Sequence, residues 1–475
     1  MLGRPFLIAL TVLVLAGCVA PAADLKASSA ADVTALEASR VPPPDVDLST
    51  AIVSDHGAPY MHALPNLHMG SYGMELVGYN PLTMPGAGDD PLVMNSGYAA
   101  ITLFGHIACI SHFAGSGGAG GATIVDFEDP ADPVVLASIP DLKIGSRCIF
   151  TDDGKFLLAG SYGGALSGLP VGAIPAPEAT VGQNGVTIYD VSDMKSPKFL
   201  AHDTTGAGDG TTALNSAYHN IGTALINGTN YVFQTYTGNI LKLAEDGTSL
   251  EIVATVEHSD HDMWVGHHPI TGKWTMITGA NGGTAFYDIT DPAAPVLQGV
   301  WEASEGYAGW HRQWPLAKPV DGKALVVVAG EECGNGKSLP YTVLDFTDPE
   351  AIKELGHWQI PGNPEIKEPG QLCSMNSHEF SEWNGYIASG NYHAGIWLFD
   401  VGTPARAAEP VTIGYYEPHE NAQMNGGTRN TPFAWNPDVW GAYFDDRGYV
   451  IAADWMSGFY VLSFAGTPGA QPAEG

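Results

Sequence analysis

Short runs of β-branched and aromatic residues, each bounded by Gly, Pro, Asn or Asp, fill the chain from about residue 73 to residue 464. One phrase returns in register. It reads "ATIVDFEDPADPVVLASIP" at 122–140, "VTIYDVSDMKSPKFLAHDT" at 186–204 and "TAFYDITDPAAPVLQGVWE" at 284–302. It recurs as "YTVLDFTDPEAIKELGHWQ" at 341–359 and "IWLFDVGTPARAAEPVTIGYYEP" at 396–418. An apolar run, an Asp, a second turn signal and another apolar run predict two strands joined by a tight turn. The Asp side chain accepts its own turn's N–H, and Pro fixes φ. Asp126, Asp190, Asp288, Asp345 and Asp400 are therefore expected to cap turns rather than to bind a ligand.

A second strand pair precedes each phrase, as in "RCIFTDDGKFLLAGSY" (147–162) and "YHNIGTALINGTNYVFQTY" (218–236). The unit is four antiparallel strands, repeating every 45 to 64 residues, which suits propeller blades and not helical solenoids. Two units lack the full phrase. "GNILKLAEDGTSLEIVATV" (238–256) has Leu243 where the Asp should stand, and "GYVIAADWMSGFYVLSF" (448–464) has no strand after it. Third strands then end near 126, 190, 243, 288, 345, 400 and 462, which makes seven blades, the last without an outer strand. A missing outer strand leaves an open edge. "GMELVGYNPL" (73–82) has the text of a fourth strand, like "VLQGVW" and "KELGHW", and is expected to complete the last blade and latch the ring. The expected fold is all-β: a seven-bladed β-propeller over residues 66–464, followed by a disordered tail at 465–475.

The phrase "ATIVDFEDP" and its echoes resemble the LVIVD-repeat proteins, secreted or surface-anchored β-propellers. The resemblance covers roughly residues 66–464 and implies little about activity, because fold alone does not give function.

Composition narrows the partners. The 475 residues carry 19 Lys and Arg against 51 Asp and Glu, a formal charge of −32. Such a surface repels phosphate backbones and anionic lipid, so nucleic-acid binding is excluded as a reading. Acidity by itself names no ligand; adaptation to a salty environment explains it as well as cation binding does. At the start, "MLGRPFLIALTVLVLAGC" has one basic residue and an apolar run too short to span a bilayer. "LAGC" (15–18) resembles a bacterial lipobox, which implies a signal peptide at 1–17, cleavage before Cys18 and lipid on its thiol. Residues 18–65, rich in Ala, Ser, Asp and Pro, read as a flexible tether in which "ADVTALEASR" can form a helical turn or two. The expected address is the cell envelope, with the membrane as partner through the lipid anchor.

Candidate chemistry gathers where each blade's first strand begins. His219 stands there in "SAYHNIG", His258 and His261 in "HSDHDMW", His311 in "GWHRQW" and His378 in "NSHEFSEW". The second strand returns to the same face, which brings in His112, Tyr162, Tyr236, Asn281, Glu331, Glu332, His393 and Asp454. Imidazoles and carboxylates around one axis are what a Zn, Cu or Fe site needs. The expected metal ligands are His219, His261, His311, His378, His393 and Glu331, with copper or zinc as the cofactor. His267 and His268, next to a Pro, read as turn residues. The cluster distantly resembles the histidine-lined channel mouth of selenium-binding/methanethiol oxidase propellers, which implies copper. A polar pocket without metal, and histidines that merely bond neighbouring backbone, are the alternatives.

No G-x-S-x-G, phosphate loop or Cys-x-x-Cys is present. The leading function is therefore ligand binding at the propeller face. A non-catalytic protein-interaction scaffold and a metal-dependent oxidoreductase or hydrolase on a small molecule stand beside it. Of the cysteines, Cys109 and Cys148 are 39 apart and Cys333 and Cys373 are 40 apart. Each pair places one member in or after a second strand and the other near the next blade's first strand. Disulfides between adjacent blades are expected, with free thiols or metal thiolates as the rival.

Overall fold

The computed structural model describes residues 30–48, 70–82, 98–112, 121–140, 144–161, 185–207, 218–304, 309–331, 339–362, 377–392, 394–418, 438–455 and 457–469. The signal peptide, Cys18, Cys333, Cys373, His393, Tyr162 and Glu332 lie outside these residues.

Five sheets hold four antiparallel strands each, over residues 98–140, 144–203, 221–255, 263–301 and 312–358. In each, strands pair in sequence order, as hairpin-connected strands do. The remaining strands form one nine-stranded sheet. It consists of the meanders 379–416 and 439–464, joined by a short parallel pairing of Glu379 with Gly441 and Phe380 with Ala442. Chain from the N-terminal side completes both outer edges of this sheet. Ser71–Tyr72 pairs with Val411–Tyr416, and Met74–Asn80 pairs antiparallel with Gly458–Phe464.

The first strands of successive units lie side by side. Tyr98–Phe104 neighbours Ile144–Phe150, which neighbours Ile221–Ile226, and so on through Met263–His267, Arg312–Pro315, Glu379–Trp383 and Val439–Phe444. Val439–Phe444 in turn neighbours Tyr98–Phe104. Apolar clusters fill the spaces between adjacent units. Ile124 and Cys109 of one unit meet Leu157 and Ala159 of the next, and Phe286 of another meets Val326 and Phe346.

The repeated phrase forms the hairpin between third and fourth strands. The Oδ1 atoms of Asp126, Asp190, Asp288, Asp345 and Asp400 accept the N–H two residues on, at 2.8–3.1 Å. The second Asp of the phrase repeats the device: Asp129, Asp193, Asp291 and Asp348 accept from Ala131, Lys195, Ala293 and Glu350. The Leu243 unit forms the same four strands without the acid.

Two further ties join distant segments. Cys109 and Cys148 are disulfide-bonded, with Cα atoms 6.3 Å apart, and staple the first two sheets together. Within the stretch read as a tether, Ala30–Ala38 is helical and Arg40 is docked. Arg40 Nε donates to Asp400 Oδ2 at 2.7 Å and Nη1 to the Asn384 carbonyl at 2.6 Å, while its guanidinium lies 3.8 Å from the Tyr386 ring centroid. This part of the segment is fixed by a charge-assisted fork on a buried carboxylate, not free.

Candidate metal centre

His219, His261, His311 and His378 each fall one or two residues before the first strand of their unit, or directly against it. Because first strands of neighbouring units are adjacent, equal register stacks the rings in sequence. Ring centroids are 4.4 Å apart for His219 and His261, 4.5 Å for His261 and His311, and 4.5 Å for His311 and His378. Glu331 follows the second strand of the His311 unit, Leu325–Ala329, by two residues and comes to the same place. His311 Nε2 lies 3.3 Å from Glu331 Oε2, and one donor atom each of His261, His311 and Glu331 lie within 4.8 Å of one another.

The surroundings set protonation. Burial, reinforced by neighbouring imidazoles, pushes His261 down to about 3 and His219 and His311 well below their ordinary value. Burial also pushes His378 down to about 3. All four are neutral at pH 7 and offer lone pairs. His378 Nδ1 sits 2.7 Å from the Trp440 carbonyl, which can only accept, so Nδ1 carries the proton and Nε2 the lone pair. Glu331 is pushed up to about 7 by burial, and Tyr392 donates its hydroxyl hydrogen bond to Glu331 Oε1. His261 Nδ1 and His311 Nδ1 have no hydrogen-bond partner among the described residues, and His311 Nε2 meets Glu331 without the geometry of a hydrogen bond. Buried polar atoms are ordinarily satisfied, so these nitrogens mark an incomplete shell.

The other candidates separate. His112 is buried in the first unit, with Nε2 2.9 Å from Thr123 Oγ1. His258 gives its backbone N–H to the Tyr287 hydroxyl. His268 Nδ1 accepts from Ile270 and Thr271 in a turn, and His267, exposed at a strand end, packs on Trp274. Tyr236 does join the cluster, its ring 5.9 Å from His219 and 5.8 Å from His261. Asn281 takes a left-handed turn conformation with φ of 48°.

Two features of this axis were not drawn from the sequence. Asp438 directly precedes Val439–Phe444, the place His378 holds in its own unit. It is fully buried beside Asp454, which raises its carboxyl well above the ordinary range, and its Oδ2 has no partner among the described residues. The signal was its register before "VWGAYF", hidden because residues 419–437 interrupt the repeat. The second feature is a buried ionic layer one residue beyond the histidines. Arg147 forks onto Asp262 at 2.9 and 3.0 Å and also donates to Glu379. Arg312 Nη1 donates to Asp262 Oδ2 at 2.9 Å, and the Tyr443 hydroxyl donates to Glu379.

Sheets of four antiparallel strands, set with their first strands side by side, belong to the β-propeller class. No protein-family profile and no curated protein sequence matches the chain. Solved structures of similar course include the periplasmic gluconolactonase of Pseudomonas aeruginosa, at 14% identity and a TM-score of 0.49, covering 74% of this chain and 89% of that one. The Kuenenia stuttgartiensis hydrazine synthase follows at 13% identity and 0.45, covering 81% and 99%. The β-propeller domain of Cps50 (Swd1) from Myceliophteria thermophila stands at 9% and 0.45, covering 78% and 98%. At such identities and scores these likenesses carry nothing about activity.

Proposed function

We propose that the chain is a seven-bladed propeller of the LVIVD-repeat kind, lipid-anchored in the cell envelope through Cys18, whose histidine mouth holds a transition-metal ion. The blade count rests on the side-by-side first strands and on Met74–Asn80 supplying the outer strand to Gly458–Phe464. The envelope reading rests on the "LAGC" stretch, and a disulfide between Cys109 and Cys148 suits an oxidising compartment.

The observation that carries the metal is the donor set: His261, His311 and Glu331 within 4.8 Å of one another, with orphaned imidazole nitrogens. Nitrogen and carboxylate donors at about 2.0–2.2 Å suit zinc or copper. His378 and His219 flank the trio and would serve as further ligands. The Tyr392 hydroxyl would orient Glu331 by holding its second oxygen, and Trp440 would hold the His378 tautomer. The ion would act as a Lewis acid or redox centre for a ligand entering at that mouth.

Elemental analysis of protein purified without a metal-affinity step tests this. One zinc or copper per chain is expected, lost in His311→Ala. Absence of stoichiometric metal, together with no rise in Tm on adding zinc or copper, would sink it.

A further inference from the structure

Beyond the ionic layer, on the side away from the histidines, the axis opens into a cavity of about 400 Å³. Its wall draws on the first strands of every unit from Tyr98–Phe104 to Val439–Phe444. The wall is mixed, with Phe150, Met263, Trp264 and Trp314 beside the hydroxyl-bearing Thr102, Thr223 and Ser381. The floor is cationic. Arg147 and Arg312 line the cavity, whereas their partners Asp262 and Glu379 do not.

Both guanidiniums are buried, at 4% and 5% exposure, and Arg312 keeps a donor in reserve. Arg147 spends Nη1 and Nη2 on Asp262 and Glu379, and its unbonded Nε is enclosed, so it lends the floor charge rather than a free donor. Arg312 commits Nη1 to Asp262 and Nε to the Phe380 carbonyl at 3.4 Å, which leaves Nη2 without a bond to a described residue. The Arg312 guanidinium also stands 4.8 Å from the centroid of the Trp314 ring, which fixes its plane. Asp152, the carboxylate of the lining, lies five residues along the chain from Arg147 and already accepts the Leu225 amide at 2.9 Å.

We propose that this opposite mouth is a second binding site, for a small carboxylate carrying an aromatic or aliphatic body. A concave, largely apolar wall with a few convergent donors is the usual build of a small-molecule site. A reserved guanidinium N–H on Arg312 at the bottom of the well selects an acceptor, and charge-assisted bonds favour an ionised one. The apolar body fills the well and displaces water. The site is independent of the histidine mouth, from which the ionic layer separates it.

Calorimetric titration of the full-length protein with phenylacetate, in the presence of a chelator, tests the proposal. Saturable one-to-one binding is expected, with phenylacetamide at least about tenfold weaker and phenethylamine not bound. Arg312→Lys, which keeps the charge against Asp262 but loses Nη2, is expected to weaken phenylacetate about tenfold. Val265→Phe, which fills the well from its wall, is expected to abolish binding while leaving metal content unchanged. Absence of saturable binding up to about 10 mM, equal binding of the amide or amine, or undiminished binding by Val265→Phe would each overturn the proposal.

Discussion

Gly78 stands so close to Pro130 that a β-carbon built on it would lie 2.1 Å from the Pro130 carbonyl oxygen. The same contact recurs between Gly299 and Pro349, at 1.8 Å, where a fourth strand meets the turn of the following unit. Gly78 thus makes, from the N-terminal segment, the contact that Gly299 and Gly356 make from their fourth strands with the next unit's turn. Gly78→Ala is expected to destabilise the fold by about 1–3 kcal/mol, because backbone must move to admit the methyl group. Deletion of residues 66–85 is expected to abolish cooperative unfolding in a urea titration, since a whole interface is lost. A deletion variant that unfolds with parental cooperativity would exclude the latch.

Asp262 is expected to be the most sensitive polar position. Arg147 and Arg312 both depend on it, and all three are buried. Asp262→Asn leaves two guanidiniums against Glu379, and losing one partner of a buried ion pair costs about 3–5 kcal/mol. Chemical denaturation should show that loss, whereas Asp288→Ala, at an exposed turn, should cost about 1 kcal/mol and leave metal content unaltered.

The metal-free protein should lose stability in acid. His261 and His378 titrate near 3 in the fold against an ordinary 6.5, so below pH 6.5 the unfolded chain binds protons that the folded chain refuses. Their contribution is full above pH 6.5 and is lost as pH falls towards 3, at about 1.4 kcal/mol per pH unit per imidazole well inside the window. Glu331 acts oppositely. Raised to about 7, it favours the fold at low pH and loses that contribution as pH rises from its ordinary 4.5 through 7. Two imidazoles outweigh one carboxyl, so Tm should fall between pH 6.5 and 5. His261→Gln/His378→Gln should flatten that slope, and an unchanged slope would contradict the buried-neutral assignment.

Reduction of the Cys109 and Cys148 bridge should be costly. The bridge closes a loop of 39 residues, which in the chain-entropy account is worth about 4 kcal/mol. Thermal unfolding of Cys109→Ala/Cys148→Ala, compared with the parent with and without dithiothreitol, measures it.

Elements that repeat were legible in the sequence; elements that pair once were not. The phrase at Asp126, Asp190, Asp288, Asp345 and Asp400 announces its own turn, because an Asx bond is local and needs only two residues to be read. The histidine stack was legible for the same reason: equal offset before each first strand becomes equal height around an axis. Arg147 and Asp262, by contrast, are 115 residues apart and stand at corresponding places of their first strands, but the side chain there changes sign from unit to unit, so no repeated letter marks the pair. Arg40 and Asp400 are 360 apart, and Arg40 follows a stretch whose composition reads as linker. Nothing local distinguishes such a partner until the fold brings it near.

The ionic layer described above has a consequence for biogenesis. Its members arrive from the ribosome in the order Arg147, Asp262, Arg312, Glu379, Tyr443, so the first guanidinium waits, hydrated, for carboxylates far downstream. The axis cannot dehydrate around a lone charge without a heavy electrostatic penalty. Expulsion of water from the centre is therefore expected to follow the synthesis of Asp262 and Glu379, which places the dehydration of the axis late in the making of the chain.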